Sequence, residues 1–302
     1  MRPQSDNVRA AGILVATMLL FSGSDSILKI VFARLPVGEV AFLRNLVVCA
    51  AVLAYLALRR SLPPLRSCLE RTNLLRGCVE LGTAISFFLG LRSLPLATAV
   101  TLVFASPLMS IALAVLVLRE KVDWQRWLAA VIGFGGVILI VRPGRDGFEP
   151  AALWPLMTAF LVSLRDLLTR FVPPDVDTGA VTLTAATVVM LGGLVTLPFA
   201  WVTPDAGELG LLLMGGLLIA IAYATVVIAF RLGDMSFIAP FRYVSIVLAA
   251  FMGWLIFGDR PTWHLVAGAA VIVASGAYIF HRERAKPPRA AQPAMIENRD
   301  QQ

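Results

Sequence analysis

The sequence predicts an all-α integral membrane protein whose ten transmembrane helices form two inverted repeats of five helices each. Hydrophobic residues make up 58% and charged residues 15% of the 302 residues, which leaves too little polar surface for a water-soluble fold. The charges cluster between apolar runs of about 18 to 24 residues, the length that crosses a bilayer as a helix. A charged pattern in the first half also recurs about 140 residues later. Together these observations predict a duplicated helical bundle in a membrane.

Ten apolar runs, separated by charged or proline- and glycine-rich breaks, are the predicted membrane spans. The clearest breaks are residues 59–64, 142–147 and 173–175. The spans lie near residues 10–33, 37–58, 72–93, 95–118, 124–141, 151–171, 179–200, 207–231, 236–257 and 262–280. Prolines at 95, 107 and 240, near or within spans, are expected to kink the helices.

The two halves carry corresponding residues in the same order. Asp25 and Lys29 lie one helical turn apart in the first span, and Asp166 and Arg170 repeat that spacing in the sixth. Further along, Arg92, Ser106, Leu116, Glu120, Lys121 and Trp124 correspond without a gap to Arg231, Ser245, Leu255, Asp259, Arg260 and Trp263. Because each half has an odd number of spans, the second half must enter the membrane in the opposite sense, so the predicted repeat is inverted.

Loop charges predict the orientation. The loop around Glu120 holds Arg119, Lys121 and Arg126, whereas its counterpart holds only Arg260, so the first loop is placed in the cytoplasm. Both termini are then cytoplasmic as well, and Arg142 and Arg145 are exceptions on the outer side. The predicted organisation is an N-terminus over 1–9, a first repeat over 10–141, a linker over 142–150, a second repeat over 151–280 and a disordered tail over 281–302.

Several other classes of protein fit the sequence poorly. The formal net charge is +7, but the basic residues lie at span ends and in the tail, so no nucleic-acid partner is predicted. The three cysteines, at 49, 68 and 78, have no metal-ligand spacing, and no metal, disulfide or other cofactor is expected. The first apolar run follows Arg2 and Arg9, as in a signal peptide, but no soluble domain comes after it. We therefore interpret it as the first span.

Charged residues inside the spans are the candidate site residues, because burying a charge in a bilayer costs at least about 2.5 kcal/mol unless it faces a cavity or a partner. Asp25 with Lys29 and Asp166 with Arg170 either form intrahelical salt bridges or line a central cavity between the halves. The sequence alone leaves both interpretations open.

Four further residues complete the candidate cavity. Arg44 lies in the second span and Glu80 in the third, where Arg76, one turn earlier, is an alternative structural partner. Arg242, in the ninth span, has no acid one turn away, so it needs a partner from another helix, a lipid headgroup or a bound anion. Tyr243 is its neighbour in sequence. No catalytic residue or metal ligand is predicted.

Two segments resemble the drug/metabolite transporter superfamily, in particular its ten-helix members built from EamA-type repeats. They are the segment from Leu91 through "VLREKVDWQRW" to Gly144 and the weaker segment "FRLGDMSFIAPFRY…IFGDRPTW". The resemblance implies ten helices, cytoplasmic termini and alternating access around a central cavity. The sequences "EVAFLRN" around Arg44 and "APFRY" at 239–243 look most like the branch of riboflavin and S-adenosylmethionine transporters.

The sequence therefore predicts a secondary transporter in the bacterial inner membrane that moves a small metabolite. Riboflavin uptake is the first candidate, and S-adenosylmethionine, an amino acid or another metabolite is the alternative, by uptake or export. The expected partners are the solute, the lipid bilayer and a coupled ion or proton; the oligomeric state stays open. An integral membrane enzyme is the rival class, disfavoured because no nucleophile, base and metal cluster is visible and the two histidines lie outside the deep spans. A channel is a third, weaker alternative.

Overall fold

The computed structural model describes residues 4–117, 124–142, 149–173, 175–232 and 239–284, and over these ranges the chain is helical, without a β-strand. The helices are α1 (Gln4–Val31), α2 (Val37–Leu58), α3 (Leu65–Cys68), α4 (Arg71–Ser93), α5 (Leu96–Val103), α6 (Ser106–Leu116), α7 (Trp124–Val141), α8 (Leu153–Thr169), α9 (Thr178–Thr196), α10 (Ala206–Leu232), α11 (Val244–Phe257) and α12 (Trp263–Arg284). Short 3-10 helices at Pro150–Ala152 and Ala239–Tyr243 precede α8 and α11.

Seven of the described segments are long and apolar enough to cross a membrane: Asp6–Val31, Val37–Leu58, Arg71–Ser93, Leu96–Leu113, Pro150–Thr169, Thr178–Thr196 and Ala206–Ala229. Three apolar helices are shorter and lie at Trp127–Val141, Phe241–Phe257 and Trp263–Tyr278. All-α membrane architecture is thus confirmed. The charged loop at 118–123, most of the linker at 143–148 and the tail from 285 onward lie outside the described residues.

Two of the predicted spans depart from a continuous α-helix beside a proline that lies within them. The fourth divides at Phe104 and Ala105 into α5 and α6, with Pro107 in the first turn of α6. Proline lacks the backbone N–H that an interior helical position must donate, so the ladder of hydrogen bonds restarts there. The ninth begins as the 3-10 helix that carries Arg242. At the C-terminus α12 continues to Arg284, so the predicted disordered tail is helical over its first four residues.

The halves pack together through helix pairs, one helix from each half. In this arrangement α1 packs on α10, α2 on α9, α4 on α8, α5 on α11 and α7 on α12. Glycine allows two of these approaches: a Cβ at Gly193 would lie 2.5 Å from the carbonyl oxygen of Gly38, and one at Gly136 would lie 2.8 Å from that of Gly268. Small residues at such crossings are typical of helix packing in membranes.

The apolar residues divide between an interior core and an outward surface. Phe32, Phe88 and Leu102 are almost fully buried in the core, whereas large apolar side chains such as Leu58 and Phe199 are 86% and 87% exposed. An apolar exterior of this extent suits contact with lipid rather than water.

Candidate functional site: a charged central cavity

Eight ionisable side chains from six elements converge inside the bundle and interact electrostatically. We call this group the central cluster. It consists of Asp25 (α1), Arg44 (α2), Arg76 and Glu80 (α4), Arg165 and Asp166 (α8), Tyr223 (α10) and Arg242 (the 3-10 helix before α11).

The central cluster is not sealed by packing. Tyr223 keeps 39% of its surface accessible, Arg242 is exposed and Asp25 is half-buried, while each interacts with charged groups from other helices. Charged residues that retain accessible surface between helices suit the wall of a solute site, and we use the word cavity for the space that the central cluster borders.

One side of the cavity is formed by interlocked ion pairs. Glu80 lies between two arginines: its Oε2 is 3.3 Å from Arg165 Nη1 and 4.0 Å from Arg76 Nη2. Arg165 also donates to Asp166 Oδ1, through Nη2 at 2.9 Å and Nε at 3.1 Å. Arg76 Nε donates to Thr169 Oγ1 at 2.9 Å, which ties α4 to the end of α8. The predicted one-turn partner of Glu80 is therefore present, but Arg165 lies closer.

The other side holds Asp25 and Arg44. Arg44 is 8% exposed; its Nη2 donates to Ser24 Oγ at 3.1 Å and its guanidinium lies 5.6 Å from the centre of the Phe88 ring. Its Nε has no hydrogen-bond partner. Asp25 and Arg44 attract each other electrostatically, yet they form no ion pair within contact distance. Opposite charges thus face each other across a gap.

Arg242 adds a third charged position, near the end of the cavity where α8 ends. It interacts with Asp166 and Arg165 through space, and no hydrogen bond or ion pair joins its guanidinium to another described side chain. The adjacent Tyr243 packs on Phe104 with ring centres 5.2 Å apart, at the point where α5 ends.

At the opposite end of the bundle, which we call the closed end, Lys29 bridges neighbouring helices. This is the end where α1 and α4 finish and where α5 and α10 begin. Lys29 Nζ donates to the carbonyl oxygens of Leu94 at 2.5 Å and Leu91 at 3.3 Å, and lies 5.4 Å from the Phe257 ring centre. The last carbonyls of a helix lack intrahelical donors, so a cation is well placed there. The predicted salt bridge of Lys29 with Asp25 is absent, and this alternative was wrong.

Further polar contacts fasten the closed end. Arg34 donates to the carboxylate of Glu208, and that hydrogen bond raises the pKa of Arg34 above its usual value. Glu39 is fully buried and accepts from the backbone N–H of Val202 at 2.9 Å. The first contact joins the loop between α1 and α2 to the start of α10, and the second joins the start of α2 to the loop between α9 and α10.

A small cavity of about 110 Å³ lies at the same end, lined by Pro95, Thr98, Gly253, Asp259 and Thr262 among others. One oxygen of Asp259, Oδ2, is buried without a hydrogen-bond partner. Asp259 also interacts electrostatically with Lys29. Residues from both halves therefore meet where the bundle is shut.

Five of the eight predicted site residues belong to the central cluster: Asp25, Arg44, Glu80, Asp166 and Arg242. Tyr243 lies beside it, next to Arg242 and against Phe104. Lys29 is instead part of the closed end, and Arg170 is exposed just after the last turn of α8. Sequence reasoning missed Arg165 and gave Tyr223 no specific role. The signal for Arg165 was its position beside Asp166. Two adjacent charged residues inside an apolar run are costly to bury, so both need a partner or a cavity.

An apolar exterior around a cluster of interior charges is typical of a polytopic membrane carrier. Residues 9–142 and 150–280 match the model of the EamA-like transporter family, and the chain belongs to that family. The resemblance stated from the sequence is thereby confirmed. The protein is a membrane transporter and not an enzyme.

Curated relatives cover most of the chain. The S-adenosylmethionine uptake transporter of Rickettsia prowazekii (strain Madrid E) is 29% identical over 278 residues, 89% of this chain and 91% of that protein. A riboflavin transporter of Vibrio cholerae serotype O1 is 31% identical over 258 residues, 84% and 86% of the two chains. One from Rhizobium johnstonii is 33% identical over 204 residues, 67% of each.

A solved crystal structure shares the fold. It matches with a TM-score of 0.61 at 20% identity and covers 93% of this chain and 100% of the other. At that identity the likeness concerns the fold alone.

Proposed function

We propose that this protein is a secondary transporter that moves a small polar metabolite across the bacterial inner membrane by alternating access. The observation that carries the proposal is the central cluster of charges of both signs inside the bundle, together with the polar contacts that fasten the closed end. Ionisable groups this deep in a membrane bundle are characteristic of solute or ion pathways. An interior site reachable from one end at a time is what alternating access requires.

The proposal includes the architecture of ten spans in two inverted repeats, over 10–141 and 151–280 with a linker at 142–150, and both termini in the cytoplasm. The helix pairs support it. If each span of the first half is exchanged with the corresponding span of the second half, the α1–α10 pair becomes the α8–α4 pair. The α2–α9, α5–α11 and α7–α12 pairs are unchanged by this exchange. Such exchange symmetry is expected of a duplicated bundle with a site between its halves.

Two solutes are the leading candidates. The sequence favours riboflavin first, and the relatives include transporters for riboflavin and for S-adenosylmethionine. The charges of the central cluster favour the second candidate, because riboflavin has no charged group to match them, whereas S-adenosylmethionine carries charges of both signs. A coupled proton or ion is also proposed, with the carboxylates of the central cluster as the groups that can carry it.

Uptake assays in two bacterial strains test the proposal. One strain cannot make riboflavin and the other cannot make S-adenosylmethionine; each expresses the chain and receives the labelled solute. Saturable uptake is expected for one of the two, and it should fall to the empty-vector level with Arg242→Ala at unchanged membrane abundance.

Arg66→Ala is the matched control, because Arg66 is an exposed arginine outside the cavity. Near-normal uptake in Arg242→Ala would remove Arg242 from the pathway. Absence of saturable flux for these solutes and for amino acids, in either direction, would count against the transporter mechanism itself.

A further inference from the structure

The gap between Asp25 and Arg44 holds an acid and a base that both have unmet bonding capacity. Glu80 and Asp166 already contact Arg165, and Glu80 also lies against Arg76, so two carboxylates are balanced by two guanidinium groups within the protein. Asp25, in contrast, forms no hydrogen bond or ion pair with the described residues, and Arg44 retains an unpartnered Nε. A buried donor without a partner is costly, so it is expected to be satisfied by a ligand or water.

Arg44 is held firmly enough to serve as a binding group. Its side chain is 8% exposed, is packed against Phe88 and donates to Ser24 Oγ. Ser24 in turn donates to the carbonyl oxygen of Gly215 at 3.0 Å, which links the arrangement to α10. A guanidinium fixed in this way presents its free N–H in one direction, which is the geometry that selects a carboxylate.

Tyr223 provides the third wall of the gap. It interacts electrostatically with both Arg44 and Asp25, and its ring is placed edge-on to Phe21 with centres 5.9 Å apart. Its hydroxyl has no hydrogen-bond partner among the described residues. The gap therefore offers a guanidinium donor, a carboxylate acceptor and a phenol that can act as either.

We propose that this gap, formed by Asp25, Arg44 and Tyr223, binds the α-amino-acid head group of the transported solute. Arg44 receives the carboxylate and Asp25 the ammonium group. The inference rests on the proposed transport function and names the substrate class of its site.

Other ligand classes satisfy the gap less well. A simple anion would meet Arg44 but be repelled by Asp25, and a simple cation would leave Arg44 without its acceptor. A neutral ring system would displace water from both charges without replacing either hydrogen bond, which is unfavourable because each charge would lose its polar partners. An ammonium and a carboxylate on one carbon atom supply one charged group for Asp25 and one for Arg44.

The head group can belong to a free amino acid or to a larger molecule such as an amino-acid-bearing nucleoside. The experiment uses purified protein in detergent and measures binding by ligand-induced thermal stabilisation. The probes are methionine, S-adenosylmethionine and S-adenosylhomocysteine, the methyl ester and N-acetyl derivative of S-adenosylhomocysteine, and 5′-methylthioadenosine and riboflavin, which lack the head group.

We expect a head-group-bearing probe to bind, and each derivative of S-adenosylhomocysteine to bind at least about tenfold more weakly, the effect of losing one charge-assisted hydrogen bond. Methionine binding as tightly as the nucleosides would identify a free amino acid as the source. Tighter binding of the nucleosides would identify the larger molecule.

The variant Asp25→Asn separates the two contacts. It should weaken binding of S-adenosylhomocysteine but leave the affinity of the N-acetyl derivative unchanged, because that derivative has already lost the ammonium group. Asp175→Asn, an exposed position between α8 and α9, is the matched control. A variant that merely unfolds would lose binding of both S-adenosylhomocysteine and its N-acetyl derivative. The ratio of the two affinities therefore distinguishes a lost contact from unfolding.

Equal binding of 5′-methylthioadenosine or riboflavin and S-adenosylhomocysteine would overturn the head-group assignment, as would the failure of every head-group-bearing probe to bind. Detergent binding needs no transport cycle, so these outcomes bear on the assignment alone. A protein that binds its solute yet supports no flux in uptake or export assays would instead overturn the proposed function.

Discussion

Helices α1 and α8 carry the same pattern, an acid followed one turn later by a base, but they use it differently. In α1 the two charged residues have separate surroundings. Asp25 belongs to the central cluster, and Lys29 donates to the carbonyl oxygens at the end of α4. In α8 the acid is held by its own neighbour, because Asp166 accepts two hydrogen bonds from Arg165. The duplicated sequence pattern therefore has two outcomes, one that leaves a carboxylate available and one that neutralises it.

The difference follows from where each helix ends. Lys29 is near the end of α1, where the unpaired carbonyls of Leu91 and Leu94 lie within reach. Asp166 and Arg165 come before the end of α8, next to the carboxylate of Glu80. The closed end is thus fastened by a cation from the first half, while the accessible end is organised by a cation from the second.

The largest expected effect comes from removing the cation that distinguishes α8. Arg165→Ala leaves Glu80 and Asp166 without their shared partner in a partly desolvated site, which should cost about 2 to 3 kcal/mol of stability and abolish uptake. Thermal unfolding in detergent and labelled-solute uptake measure the two effects. Arg165→Lys should recover stability better than uptake, because a lysine replaces the charge but not the forked geometry. Wild-type stability in Arg165→Ala would show that the ion pairs of α8 are dispensable.

The next effect tests the closed end. Lys29→Met removes the donor to Leu91 and Leu94, so the closed end should open more often, and a cysteine introduced at Thr98 should react about tenfold faster with a soluble maleimide. The rate is measured in a background without the three native cysteines.

The matched change in the second half is Arg170→Met. Because Arg170 is exposed beyond the last turn of α8, its loss should leave labelling at position 98 unchanged. Equal acceleration by both substitutions would mean that the two bases play equivalent roles, against the comparison drawn from the structure.

The smallest effect concerns the support of Arg44. Ser24→Ala removes the hydrogen bond to Arg44 Nη2 and the link to the Gly215 carbonyl, which should cost about 1 kcal/mol and raise the half-saturation concentration for uptake several-fold. Ser110→Ala is the control, because that hydroxyl bonds only to the carbonyl of Ser106 within its own helix. A lower maximal rate with unchanged half-saturation would contradict a role in positioning the binding group.

Much of the architecture was predictable because the bilayer constrains it strongly. Apolar runs of membrane-spanning length located the helices to within a few residues, and Pro107 and Pro240 marked the two spans that are not continuous. The charged residues inside those runs were also identifiable, since each must find a cavity or a partner. The partners of these charged residues could not be identified from the sequence. Lys29 shows why: a backbone carbonyl acceptor has no sequence signature, whereas Asp25, one turn away, was the expected ion-pair partner.

The sequence by itself determined that this chain is a helical membrane protein of the EamA-like family with charges placed deep in its spans. Hydropathy and internal similarity depend only on the order of the residues, so they need no three-dimensional information. Only the tertiary structure decided which charges neutralise each other and which remain available. Glu80 is satisfied by Arg165 from another helix, while Asp25 and Arg44 face each other without contact. The physical reason is that ion pairing falls steeply with distance and depends on how α1, α2, α4 and α8 cross, and those crossings are set by packing across the whole bundle.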